Sequence, residues 1–100
     1  MSDAAEYIGV RYEVLGVERC KGSGSLVAIA TVRVTIYDLE FVFQGLQIRT
    51  TSDGKFAVRS PHFRHPRTGV LHPAVMAPLD LQDAIGAELC AYMSEQEQAA

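Results

Sequence analysis

Twelve consecutive residues, Leu26 to Tyr37 (LVAIATVRVTIY), set the strongest limit on what this chain can become. Ala28, Ala30, Val32, Val34 and Ile36 alternate with Ile29, Thr31, Arg33, Thr35 and Tyr37. A period of two is the signature of a β-strand, because successive side chains point to opposite faces. One face of this strand is wholly apolar, so something must cover it. Ala28 and Ala30 are small, which leaves room for a bulky element such as a helix to approach closely.

The flanking segments read as partners for that strand. Tyr7 to Arg19 carries Ile8, Val10, Tyr12 and Val14 in alternation with Gly9, Arg11 and Glu13. The alternation slips at VLGV, which predicts a bulge near Gly16. The turn cluster CKGSGS separates this strand from Leu26. A tight turn at Asp38 leads into FVFQGLQI, Phe41 to Ile48, where Gly45 marks a bulge or bend. Asp53-Gly54 is a hairpin signal, followed by the short strand KFAVRSP.

The last part changes period. Leu81, Ile85, Leu89 and Tyr92 or Met93 recur at helical spacing, Pro78 suits the first turn, and Asp80 and Asp83 complement a helix N-terminus. Gly86 costs such a helix about 1 kcal/mol against alanine, so it needs packing to be stable. The expected fold is one α+β domain over residues 1–100. It is an antiparallel meander of four to five strands with a C-terminal helix packed on one face, and residues 1–6 and 94–100 are its frayed ends.

Hydrophobic residues make up 48% of the 100, enough for a packed core. Cys20 and Cys90 lie far apart without CxxC spacing, and read as reduced packing residues. No signal-peptide pattern and no apolar run of about 18 residues occurs, so the expected setting is the cytoplasm, without membrane attachment. The net charge of −3 gives the whole molecule no polyanion-binding character, but its distribution is uneven. Residues 49–72 hold five basic side chains against one acidic, Asp53, whereas residues 73–100 hold five acidic and no basic ones.

Three histidines, two arginines and three prolines fall within Ser60 to Pro73, SPHFRHPRTGVLHP. A metal site is one reading of His62, His65 and His72. Zinc sites, however, carry HExxH, paired CxxC or a nearby carboxylate, and no Asp or Glu lies between Asp53 and Asp80. No metal or other cofactor is expected. Neither cysteine has a local nucleophile signature, Ser60-Pro61 is not a nucleophile elbow, and Asp80 and Asp83 serve the helix dipole, so the chain is not expected to be an enzyme. The basic segment carries the reading furthest. Arg49, Lys55, Arg59, Arg64 and Arg67 are candidates for phosphate contacts, and Phe63 for stacking on a base. His62 and His65 are further candidates for the same surface. The plain alternative is a solvated connecting loop with Phe63 tucked into the core.

Taken in order, ATVRVTIYDLEFVFQGLQI, DGKFAVRSP, HPAV and LQDAI resemble the SpoVG family, the stage V sporulation protein G or septation proteins of bacteria. LEFVFQGLQI stands where the family has an EFVVHDIRV-like strand, and DGKFAVRSP where it has an NGLFVAMPS-like strand ending in proline. LQDAI corresponds to the start of the family's C-terminal helix. The likeness spans Leu26 to Tyr92. It implies a small α+β domain that forms homodimers and binds DNA or RNA as a regulator. It also points to the loop after the proline as the contact surface, with Arg64 matching best and Arg67 in the same loop. The chain departs from the family at its helix start, which is acidic (PLDLQDA) where the family is basic. A protein-interaction module on the same fold, using a sheet edge or the acidic helix, is the other reading.

Overall fold

The computed structural model describes residues 9–21 and 24–99. Their strands are β1 (Val10–Arg19), β2 (Leu26–Ile36), β3 (Leu39–Thr50), β4 (Phe56–Arg59), β5 (His62–Arg64) and β6 (Leu71–Pro73), and the helix α1 spans Leu79–Ala99. β1 to β4 form one antiparallel sheet in chain order, and β5 and β6 a separate two-stranded sheet. The α+β meander with a C-terminal helix is therefore the architecture. Met1 to Glu6, and with them Tyr7 and Ile8 of the first expected strand, lie outside the described residues. At the other end the helix continues through 94–99.

The apolar stripe of β2 decides where the core sits. Ala28, Ala30, Val32 and Val34 are buried together with Leu46 and Ile48 from β3 and Ile85, Leu89 and Met93 from α1. Ala28 and Ala30 leave the space that the helix fills, as their size predicts. Of the two candidates ending the helical stripe, Met93 is fully buried and Tyr92 only packs against the core. Each large side chain buried this way contributes about 1.5–3 kcal/mol. Gly86 lies over β4, where a β-carbon would meet Val58 at 3.7 Å. The Pro78 carbonyl accepts the N–H of Gln82 at 3.0 Å and so caps the helix from just outside it.

Two of the three register shifts fall where the pattern breaks, and the third, between Leu26 and Ala28, lies within unbroken alternation. The β1–β2 register shifts between Val14 and Gly16, leaving Leu15 as the extra residue. The β2–β3 register shifts between Ala30 and Val32, opposite Gly45, which adopts φ 76°. That left-handed backbone suits glycine and keeps Phe43 and Leu46 on the same side of the sheet.

Hydrogen-bond phase along β1 follows from its two ends. Tyr37 donates its N–H to the Gly9 carbonyl at 2.8 Å, and Cys20 donates to that of Val27 at 2.9 Å. Antiparallel pairs alternate between bonded and non-bonded. Arg11 and Glu13 therefore aim their backbone groups at β2. Val10, Tyr12 and Val14 aim theirs away, at the open edge.

One sequence expectation needs amending. Ser60 to Pro73 is not a mere proline-bounded loop but a hairpin, with His62, Phe63 and Arg64 paired to Pro73, His72 and Leu71. Phe63 is correspondingly 46% exposed rather than tucked into the core.

Candidate nucleic-acid interface

The eight candidate residues occupy three places. Arg49 and Arg59 project from the sheet face opposite the helix. In the β3–β4 register Gln47 faces Arg59 and Arg49 faces Ala57, which makes the two arginines diagonal neighbours on that face. Arg49 is held in place by its own hydrogen bonds. Its Nε and Nη2 donate to Gln47 Oε1 at 3.2 and 2.9 Å, and its Nη1 donates to Ser25 Oγ at 3.0 Å. Gln47 and Ser25 thus orient a guanidinium, a role that the sequence gives no signal for.

Lys55 lies in the β3–β4 turn opposite Thr51, so in the register of the sheet it flanks Arg49 on the side away from Arg59. That turn is closed by Thr51 and Lys55 through a 2.8 Å backbone bond. Asp53 accepts from the Thr51 hydroxyl and from the Lys55 N–H at 3.4 Å. These bonds, the Thr51 one first, hold the Asp53 carboxyl below its ordinary range. A permanent carboxylate two residues away weakens Lys55 as a phosphate contact.

The remaining five sit on the β5–β6 hairpin. His62 and Arg64 share one face of β5 by strand alternation, and Phe63 takes the other. His62 Nδ1 lies 2.8 Å from the Ser60 carbonyl. Arg64 Nη1 donates to the Gly69 carbonyl at 2.6 Å, folding the guanidinium across the hairpin tip. His65 closes the turn. Its Nδ1 accepts the N–H of Arg67 at 3.1 Å and of Thr68 at 3.4 Å, while its backbone pairs with Val70 and Gly69. Arg67 stands exposed at the tip.

On the Phe63 side, the ring stacks on His72 with centroids 5.7 Å apart and planes 29° from parallel. His65 meets the same His72 edge-on at 5.8 Å. His72 thereby joins the aromatic group. Its pairing with Phe63 comes from the β5–β6 register, for which the sequence carries no signal.

Two links connect the places. Arg59 and His62 line one shallow cleft with Ser60, Met76 and Gln82. Arg49 adjoins Arg59, and Arg64 adjoins His62. The order Arg49, Arg59, His62, Arg64 is thus a path of neighbours from the sheet face onto the hairpin. Gln82 fixes the junction, since Ser60 Oγ donates to its Oε1 at 3.4 Å and its Nε2 donates to the Ala77 carbonyl at 2.6 Å. Among the described residues, none of Arg49, Lys55, Arg59, Arg64 and Arg67 forms an ion pair with a carboxylate, whereas Arg33 pairs with Glu13 at 3.1 Å. No group of three or more His, Cys, Asp and Glu side chains among the described residues is placed to hold a metal ion. No helix there is long and apolar enough to cross a membrane.

Comparison with known protein families, with characterised proteins and with solved structures found no match.

Proposed function

We propose that this chain is a SpoVG-like, dimeric, non-enzymatic regulator that binds DNA or RNA in the cytoplasm. The observation that carries the reading is the path Arg49, Arg59, His62 and Arg64, whose arginines form no ion pair among the described residues, beside an exposed Phe63–His72 stack. Guanidinium groups suit phosphate oxygens by charge and paired hydrogen bonds. An exposed ring accepts any base on its face. Phosphate contacts position the strand and carry no sequence information, so selectivity would come from stacking and strand flexibility. One copy offers few such contacts, and a two-fold dimer doubles them. An electrophoretic shift at low salt with single-stranded and duplex probes tests the reading. A retarded complex at tens of micromolar protein is expected, and its absence with both DNA and RNA removes the proposal.

A protein-interaction module on the same fold is the second reading. Met76 and Leu79, 91% and 73% exposed at the helix entrance, favour it, as does the acidic first turn of α1. Co-purification of a basic partner that Leu79→Asp releases, with no nucleic-acid shift, would select it.

A further inference from the structure

We infer that the open edge of β1 is the dimer interface, joining two copies of this chain into one eight-stranded sheet. This deepens the dimeric part of the function proposed above and stands apart from its nucleic-acid part.

β1 is an edge strand among the described residues, paired only with β2. Its outward backbone groups belong to Val10, Tyr12 and Val14, as the Gly9–Tyr37 and Cys20–Val27 bonds fix. An unpaired edge of this kind is a template for another strand. The side chains select the strand that fits. Val10, Tyr12 and Val14 are half-buried on the helix side, and Arg11 and Glu13 are exposed on the other.

Take a second copy of β1 running antiparallel, with the two-fold axis at Tyr12. Val10 then faces Val14 of the other copy, Tyr12 faces Tyr12, and Arg11 faces Glu13, twice. Apolar meets apolar, each charge meets its opposite, and the outward backbone groups meet outward groups. Centring on Arg11 or Glu13 instead keeps the backbone phase but sets like charges face to face at the axis. The bulge at Leu15 ends the flat stretch and limits the pairing to this segment. Glu13 already holds Arg33 at 3.1 Å, so the incoming Arg11 extends a line of alternating charge across the sheet.

The pairing also places the partner in the candidate site. A two-fold axis perpendicular to the sheet keeps both helices on one side and both Arg49–Arg59 faces on the other. The two β4 strands are then seven strand spacings apart, about 34 Å at ~4.8 Å each. On the nucleic-acid reading, a ligand must span that distance to touch both Arg59 side chains, and about 24 Å, five spacings, to touch both Arg49 side chains on β3.

The test uses two charge variants of the full chain, analysed by sedimentation equilibrium alone and mixed. Arg11→Glu makes the edge acidic and Glu13→Lys makes it basic. Each alone should raise the dimer dissociation constant about tenfold or more, because like charges then face each other twice. An equimolar mixture should restore dimers. In the mixed pair the introduced glutamate faces the introduced lysine, and the unchanged Glu13 of one copy faces the unchanged Arg11 of the other. Amide exchange on the wild type should show Val10, Tyr12 and Val14 gaining protection as concentration rises. A monomeric wild type overturns the inference. So do variants that dimerise alone as well as the parent, a mixture that stays monomeric, or a dimer in which those three amides exchange freely. Sedimentation is read without nucleic acid, so failure here and failure of the electrophoretic shift are separate results.

Discussion

Gly9 and Tyr37 meet twice: the Gly9 carbonyl accepts the Tyr37 N–H at 2.8 Å, and a β-carbon on Gly9 would strike the Tyr37 ring at 2.7 Å. Both residues have left-handed backbones, φ 88° and 54°. Gly9→Ala should destabilise the fold by about 1–3 kcal/mol, since alanine is strained at that φ even after the exposed ring moves aside. In urea unfolding, Tyr37→Gly should recover the part due to the ring and leave the part due to φ. Equal stability of Tyr37→Gly with and without Gly9→Ala would show that backbone strain at residue 9 contributes nothing.

The helix is held by the stripe that β2 and β3 present to it. Leu89 is fully buried in that cluster, so Leu89→Ala should cost about 2–5 kcal/mol by lost burial and residual cavity. Ala30→Leu should also destabilise, by about 1–3 kcal/mol, because it closes the gap the helix occupies. Equilibrium unfolding measures both. An Ala30→Leu variant as stable as the parent would contradict close helix–sheet contact at that position.

Acid should loosen the β3–β4 turn in a defined window. The Thr51 hydroxyl and the Lys55 N–H favour the Asp53 carboxylate and lower its pKa in the folded chain. A depressed carboxyl contributes stability above its unfolded value, ordinarily 3.8, and loses it as pH falls through the lower native value. The Lys55 amide resonance should therefore titrate with a midpoint below 3.8, and Asp53→Asn should abolish the transition. A midpoint at or above 3.8 would contradict the bonding described for this turn.

Alkali acts on two other groups. Burial pushes the Cys90 thiol up, and burial followed by the Glu88 charge pushes the Tyr12 hydroxyl up. A raised acid contributes stability below its unfolded value and loses it as pH rises towards the native one. Stability should be level near neutrality and fall once pH passes the ordinary thiol value of 9.0. Cys90 donates to the Phe56 carbonyl at 3.4 Å, and its labelling by a thiol reagent should be slow in the native protein and fast in denaturant. Equal rates in both conditions would contradict its burial.

Period-two and helical spacing made the meander, the core stripe and α1 legible, because those signals come from residues near each other in the chain. The bulges at Leu15 and Gly45 were legible for the same reason. The β5–β6 hairpin was not, since its three-residue strands are too short for alternation to register and Pro61, Pro66 and Pro73 argue for irregular backbone. Among the candidate residues, charge counting found the arginines. It could not find that Ser25 and Gln47 orient Arg49, or that Asp53 stands beside Lys55. Those relations depend on register between strands, and a shift of one residue would reverse every face.

The central claim is that the Arg49-to-Arg64 path grips phosphates, and fluorescence anisotropy across a salt series tests it most directly. A labelled single strand should bind the parent with log K falling linearly in log salt, by about 0.7 per phosphate contact. Arg59→Ala, which breaks the middle of the path, should weaken binding and flatten that slope by about one contact, while Lys55→Ala changes it little. Affinity that ignores salt, or an Arg59→Ala slope equal to the parent's, would contradict the account.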